Sequence, residues 1–235
     1  MRETSALYKK IIESPLRRFE TRVSIAGTDY EEDSIESMSV LSDLFKEFSI
    51  GNVVARQFTL VLRDWDSIPK GAKVVPYVRV VNDVTRQASE WLKKGVFYVY
   101  SRTEDVDGEY LALTGYDALM RSDVPFFKTG TWVSTDALDV AQAIAEDIGT
   151  SLESSTYSLL KNDPVSIPYI PVMGEDGTTD REMLQYIAAA YCGNWIIDDD
   201  GKLKLVCFKD TPSSTHYLIN EHGYNITFGG TRILV

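Results

Sequence analysis

Cysteine and histidine are scarce in this chain of 235 residues, and their scarcity removes several classes of site. The two cysteines, Cys192 and Cys207, are too few for a disulfide framework and do not form a Cys-x-x-Cys pair. We expect both to pack in the core, in an intracellular rather than a secreted chain. His216 and His222 have no cysteine or glutamate at ligand spacing beside them, so the sequence does not predict a zinc site.

Long apolar runs are also missing. The longest candidates, such as GVFYVY at residues 95–100, have the length of a strand, whereas a membrane-spanning helix needs about 20 residues. The first residues, MRETSALYKKIIESPLRRF, carry charges throughout and lack the continuous apolar core of a signal peptide. We therefore expect a soluble chain, or a component of a soluble assembly, with no membrane partner.

The usual catalytic motifs are absent as well. The sequence contains no Gly-x-Ser-x-Gly elbow and no glycine-rich phosphate loop. Residues 198–201, Asp-Asp-Asp-Gly, cluster carboxylates as calcium sites do, but they lack the later ligands of an EF-hand loop and predict an ordinary hairpin turn. The remaining carboxylates fit a solvated acidic face. We expect no catalytic residue, no cofactor and no metal ligand.

What the chain has in excess is negative charge. It contains 35 acidic against 24 basic residues, a net charge of −11. Such a charge opposes tight wrapping of nucleic acid and binding to an anionic membrane, yet it suits a surface past which DNA must slide. The apolar content of 44%, with 11% aromatic residues, indicates an ordered globular chain.

The first half of the chain has the pattern of β-structure. Residues 18–27 (RFETRVSIAG) alternate apolar and polar side chains, and residues 34–40 (SIESMSV) do so more weakly. Residues 41–48 (LSDLFKEF) have helical spacing and predict a short amphipathic helix or turn. Two further strand patterns follow, at residues 74–83 and 93–119, and Asp107-Gly108 is a strong hairpin signal.

One strand of this half is unusual because both of its faces are largely apolar. Gly51 and Asn52 can turn the chain tightly into GNVVARQFTLVL, which ends at Leu62. A strand that is apolar on both faces suits a barrel stave that is packed on one side and covered on the other. We therefore predict a β-barrel domain over residues 18–125, after an N-terminal extension at residues 1–17.

The second half changes to a mixed pattern. Residues 135–149 predict a helix that Gly149 ends, and Thr179-Asp180-Arg181-Glu182 is a capping box that begins a second helix. WIIDDDGKLKLVCF, residues 195–208, predicts a hairpin. We predict an α+β domain at residues 126–210 and C-terminal strands at 211–235 that could belong to a second barrel. The fold class is thus α+β, mainly β.

The order of these pieces is similar to that of a known family. The strand pair RVSIAG and IESMSV, the amphipathic turn, IGNVVARQFTLVL, the strand ending in LTGYDAL and the unit TDREMLQYIAAAYCGNWIIDDDGKLKLV span about residues 18 to 210. In this order they resemble the tail hub proteins of bacteriophages and related contractile particles. The same hub platform forms the N-terminal part of siphophage tail-associated proteins.

The resemblance implies a structural role without catalysis. It implies three subunits in a ring of pseudo-sixfold symmetry that joins a hexameric tail tube to a central spike or fibre, within the virion tail, after assembly in the bacterial cytoplasm. Other baseplate proteins would be further partners, and DNA would pass through an acidic lumen without specific binding. We expect Val54, Phe58, Phe97 and Tyr98 to contribute subunit contacts.

Two alternatives stay open at this point. The first is a carbohydrate-binding or surface-binding β module at the tail tip, with Trp65, Trp91 and Trp132 exposed in a groove. The second is a tail-associated cell-wall hydrolase, which would need a cleft holding two carboxylates whose pKa values differ.

Overall fold

The structure is a computed structural model that describes residues 4–42, 49–126, 135–167 and 178–208, together with the backbone of 227–228 and 231–232. The predicted helix at 41–48 lies outside the described residues except for its first two positions, and Trp132, His216 and His222 lie outside them entirely. None of the described helices is long and apolar enough to cross a membrane.

The N-terminal extension contains a short helix, α1 (Ala6–Ile12), which the sequence pattern did not predict. Ser5 caps this helix, because its hydroxyl accepts a hydrogen bond from the Tyr8 amide at 3.0 Å. Ile11 is buried, and the Ser5 amide donates to Glu90 Oε1 at 2.8 Å. These contacts attach the extension to the rest of the chain.

Eight strands form one antiparallel sheet. They are β1 (Arg17–Ile25), β2 (Thr28–Glu31), β3 (Ile35–Leu41), β4 (Gln57–Leu62), β5 (Lys73–Asn82), β6 (Leu92–Lys93), β7 (Phe97–Glu104) and β8 (Leu111–Tyr116). Their order is β2-β1-β5-β7-β8-β4-β3, and β6 pairs with β5. The strands predicted from alternation at 18–27, 34–40 and 74–83 are therefore confirmed.

The sheet is curled around one interior. Thirteen buried apolar side chains form one group there, the interior cluster: Val23, Ile25, Tyr30, Phe58, Leu60, Leu62, Ile68, Ala72, Val74, Phe97, Val99, Leu111 and Leu113. Curling is also required by the short 3₁₀ turn of residues 32–34, which is the whole link between the two edge strands β2 and β3.

The closed barrel expected from the sequence is not confirmed. Among the described strands, β2 and β3 do not pair with each other and stand at the two ends of the strand order, while the two-residue strand β6 branches from β5. Alternation of apolar residues is the same in an open sheet and in a closed one, because closure depends on hydrogen bonds between edge strands that alternation does not encode. The four-residue length of β2 leaves little backbone for such pairing.

The strand predicted over residues 51–62 is divided into two parts. Its second part is β4, where Phe58, Leu60 and Leu62 point into the interior as the alternation predicts. Its first part contacts the C-terminal hairpin instead. The Gly51 amide donates to the Gly193 carbonyl at 2.9 Å, and Val53 forms a parallel bridge with Trp195. Gly51 has φ +87°, in the left-handed region that the tight turn requires.

The predicted hairpin at Asp107-Gly108 joins β7 and β8. Gly108 has φ +69°, and its amide donates to the Asp105 carbonyl at 3.2 Å. A register shift between Val99 and Ser101 gives β7 a bulge at Tyr100.

The second half forms an α+β unit. Its helices are α2 (Ala137–Asp147), α3 (Ser154–Asn162) and α4 (Asp180–Ala190), and its hairpin is β11 (Gly193–Ile197) with β12 (Leu203–Cys207). The short strands β9 (Thr135–Asp136) and β10 (Ser166–Ile167) pair with each other, as do β13 (Thr227–Phe228) and β14 (Thr231–Arg232). The α+β class is thus confirmed.

Local signals explain most of these helices. Gly149 follows α2 with φ +79°, as predicted, and the Thr179–Glu182 capping box at α4 is present in both directions. Helix α3 was not predicted, because its sequence SSTYSLLKN buries only Thr156 and Leu160 and so has a weak apolar period. Its N-cap is Glu153, whose carboxylate accepts from the Ser155 and Thr156 amides.

The helices and the hairpin bury a second group of apolar residues, the helical cluster, with Trp195 fully buried. The Trp195 indole donates to the Leu184 carbonyl at 2.8 Å. Cys207 packs against this cluster, as expected. The expectation for Cys192 is wrong, because α4 ends before it and Cys192 is an exposed turn residue with φ +52°.

Candidate interface surfaces

The two edges of the sheet differ in length and in charge. Strand β3 has seven residues, of which Glu36 is the one charged side chain, and its last two residues, Val40 and Leu41, are 38% and 54% exposed. Strand β2 has four residues and carries the exposed charges of Asp29 and Glu31. Short, charged edges resist pairing with other chains, whereas long edges with apolar side chains promote it. Strand β3 is therefore the edge suited to an interface.

A cavity of about 400 Å³ opens beside β3. The residues that line it are Met38, Ser39, Val40, Arg56, Val78, Lys94 and Asp199. Its wall thus combines apolar side chains from β3 and β5 with two cations and one carboxylate.

Arg56 joins the sheet to the α+β unit. Its Nη1 lies 3.1 Å from Asp199 Oδ1, and its Nη2 donates to the Asp198 carbonyl at 3.0 Å. On the other side, Nε lies 3.6 Å from Asp117 Oδ2, and the guanidinium stands 5.5 Å from the centre of the Phe97 ring. One side chain therefore contacts the turn of the β11–β12 hairpin, the residue after β8 and the interior cluster.

Asp117 is the most perturbed carboxyl group of this junction. Burial raises its pKa to about 6, against hydrogen bonds from the Arg56 and Leu119 amides and the charge of Arg56. Those two amides donate at 3.0 and 3.1 Å. The carboxyl group is enclosed and accepts hydrogen bonds from the backbone of two segments, so its role is to hold these segments together. No sequence pattern singled out Asp117, which the structure shows to be the N-cap of a short 3₁₀ helix, Ala118–Ser122.

The four residues predicted for subunit contacts lie in two different environments. Phe58 and Phe97 are 1% and 0% exposed, and their rings stack with centres 5.2 Å apart inside the interior cluster. Val54 and Tyr98 are half-buried, and the Arg121 guanidinium covers the Tyr98 ring at 3.9 Å. The two phenylalanines thus pack within their own chain. A role of any of the four in subunit contact stays a prediction.

Of the tryptophans considered for a glycan groove, the two that the structure describes, Trp65 and Trp91, line different clefts. Trp65 packs against the interior cluster and lines a cleft with Asp64 and Asp66. Trp91 lies on the outer face of the sheet, where the guanidinium groups of Arg22 and Arg79 stand 4.9 and 4.4 Å from its ring centre. Cations thus contact this ring where a sugar would stack.

The turn at residues 198–201 is the ordinary hairpin turn that the sequence predicted. Asp198 Oδ1 accepts hydrogen bonds from the Asp200 and Lys202 amides at 2.9 and 2.8 Å. Gly201 has φ +87°. Within the described part of the chain, no group of three or more His, Cys, Asp or Glu residues is arranged to hold a metal ion.

No protein-family model matches the chain, and no curated protein matches it. Several solved structures are similar to it, among them two tail proteins. A 43 kDa tail protein of prophage MuSo2 from Shewanella oneidensis is 12% identical, with a TM-score of 0.48 over 85% of this chain and 59% of that protein. A tail protein from Neisseria meningitidis MC58 is 16% identical, with a TM-score of 0.45 over 83% and 57% of the two chains. The chain therefore spans less than two thirds of either protein.

Proposed function

We propose that this chain is a structural subunit of a phage or phage-like tail. In this proposal, three copies form the baseplate hub that joins the hexameric tail tube to the central spike or fibre and surrounds the DNA channel. The observation that carries the proposal is the curled, unclosed sheet with its long β3 edge, connected through Arg56 to a helix-and-hairpin unit. Such a sheet suits a wall that neighbouring subunits complete.

The order of elements supports the same role. The resemblance to tail hub proteins rested on a strand pair, an amphipathic turn, the strand IGNVVARQFTLVL, a strand ending in LTGYDAL and a helix-hairpin unit, in that order. The turn lies largely outside the described residues, and the other pieces correspond to β1 with β3, to β4, to β8, and to α4 with β11–β12. The proposal places the chain in the same class of particle as the two tail proteins named above.

The distribution of charge suits a channel for DNA. The tip of the β7–β8 hairpin exposes Glu104, Asp105, Asp107 and Glu109 within six residues. In the proposed ring, acidic tips of this kind would face the lumen and repel the phosphates of passing DNA.

The described side chains give the two alternatives less support. A hydrolase needs two carboxyl groups on opposite sides of a substrate cleft, whereas the carboxyl with the raised pKa, Asp117, is enclosed at a junction. A glycan-binding groove needs exposed aromatic rings in one cleft, whereas Trp65 and Trp91 line separate clefts.

The proposal is tested by the mass of the assembly in solution. Light scattering on a sizing column should give about 79 kDa, three times the chain mass of 26.4 kDa, either for the chain alone or for its portion of a complex with the tail tube protein of the same particle. Electron microscopy should show rings. A chain that stays monomeric and forms no ring with that tube protein would contradict the proposal.

A further inference from the structure

One side of strand β3 has no strand partner among the described residues. Its other side pairs with β4 along Ile35–Leu41. The backbone N–H and C=O groups along the side without a strand partner are available for pairing with an added strand. Seven residues are enough to bind an extended segment of about the same length.

The cavity beside this edge determines what an added strand would carry. Met38 and Val40 of β3 and Val78 of β5 form an apolar floor, and Arg56, Lys94 and Asp199 form the polar part of the wall. Asp199 is already bonded to Arg56, and Asp117 faces Arg56 from the other side. The exposed Lys94 therefore leaves a positive charge at the wall, on a chain whose net charge is −11.

A glutamate side chain fits this combination. Its methylene groups can lie against the apolar floor while its carboxylate reaches the lysine. A lysine in the same position would meet like charge, and a purely apolar side chain would leave the cation without a partner.

We propose that β3 binds, by strand addition, an extended segment of a neighbouring tail protein that places a glutamate in the cavity beside Lys94. The proposal rests on the hub function, because a hub subunit must bind neighbours around it. Beyond the hub function, the proposal specifies that β3 makes one of those contacts, and it specifies the chemistry of the strand that β3 binds.

The experiment uses the full chain and three synthetic probes. These are capped nonapeptides of alternating threonine and valine with glutamate, glutamine or lysine at the centre, and their binding is measured by fluorescence anisotropy. The glutamate peptide should bind about threefold to fivefold more tightly than the glutamine peptide, as expected for one partly exposed ion pair. The lysine peptide should bind most weakly.

Two kinds of variant test where the peptide binds. Val40→Lys and Leu41→Lys each add a protective charge to the edge and should abolish binding. Val106→Lys is the matched control, because Val106 is fully exposed at the tip of the β7–β8 hairpin and should leave binding unchanged. Lys94→Glu should reverse the preference, so that the lysine peptide binds better than the glutamate peptide. Thermal melting of each variant shows whether it is folded.

Three results would overturn the proposal: no binding of any peptide, equal binding of all three, or wild-type binding by the folded Val40→Lys and Leu41→Lys chains. The mass measurement above is separate. A trimer without peptide binding would reject only the strand-addition site, and peptide binding by a chain that forms no ring would reject only the hub.

Discussion

Single residues at the junction connect local chemistry to the stability of the whole chain. Asp117 and Arg56 face each other there. Burial destabilises the carboxylate more than the guanidinium and the two amides stabilise it, so the pKa of Asp117 is raised. The long distance of 3.6 Å between Arg56 Nε and Asp117 Oδ2 agrees with a weak ion pair.

The raised pKa of Asp117 predicts a pH dependence of stability. Because this pKa is about 6 in the folded chain and 3.8 ordinarily, the folded state holds the proton more tightly than the unfolded state. The contribution of Asp117 to the free energy of unfolding should therefore increase by roughly 2 kcal/mol as the pH falls from about 6.5 to about 4. Urea unfolding across this range measures it. Asp117→Asn should lack this contribution, and an identical pH profile of the two chains would contradict the assignment.

Glu153 predicts the opposite dependence. The hydrogen bond from the Ser155 hydroxyl is the largest cause that lowers its pKa, and with the Ser155 and Thr156 amides it brings the pKa to about 2 against the opposing effect of burial. The cap should stabilise α3 at neutral pH and lose its contribution as the pH falls from about 4.5 towards 2. Glu153→Ala should cost about 1 kcal/mol at pH 7. Glu153→Gln, which keeps an acceptor oxygen, should cost less. Equal urea midpoints for all three chains would contradict the capping role.

Among the elements, the contact between the curled sheet and the β11–β12 hairpin is the one on which the proposed wall depends. Backbone bonds from Gly51 and Trp195 make part of this contact, and the amide of buried Asn194 makes another part. Asn194 Oδ1 accepts from the Asn52 amide at 2.8 Å, and its Nδ2 donates to the Ser49 carbonyl at 2.9 Å. The Arg56 side chain completes the contact through its hydrogen bonds to Asp199 and the Asp198 carbonyl.

We predict that Arg56→Met loosens this contact without unfolding the chain. Removal of the guanidinium breaks its hydrogen bonds to Asp199 and the Asp198 carbonyl and leaves the Asp117 carboxylate buried without a cation. Together these losses should lower the free energy of unfolding by about 2 to 4 kcal/mol. Hydrogen exchange should speed up at residues 198–202 and at 117–119. Arg63→Met is the control, because Arg63 forms an exposed pair with Glu36, and solvent screening leaves such a pair little effect on stability. Equal effects of the two substitutions would contradict the special role of Arg56.

At the scale of the whole molecule, substitutions at two of the residues predicted for subunit contacts distinguish a defect in folding from a defect in assembly. Phe58→Arg places a charge in the interior cluster and should prevent folding, because an unpaired buried charge costs several kcal/mol. Val54 is half-buried, so Val54→Arg should fold and, if Val54 lies at the subunit interface, reduce the trimer to monomers. Circular dichroism and light scattering on the same samples distinguish the two effects. A folded Val54→Arg chain that remains trimeric would remove Val54 from the interface.

The sequence by itself determined the features that depend on neighbouring residues. Alternation located β1 and the inward set Phe58, Leu60 and Leu62, because side chains on a strand point to opposite faces in turn. Asp107-Gly108 located the hairpin, and the Thr179–Glu182 capping box located the start of α4. Helices α1 and α3 escaped prediction because each buries too few apolar residues to show a period.

Only the tertiary structure decided the features that join distant segments. It divided the predicted strand at 51–62 between the sheet and the β11–β12 hairpin, brought Arg56 to Asp117 and Asp199, and left the curled sheet open at β2 and β3. The same apolar pattern serves a strand in the middle of a sheet and a strand at its edge. Whether a strand becomes an edge depends on which backbone groups pair with a segment far along the chain. A local sequence pattern does not encode that long-range pairing.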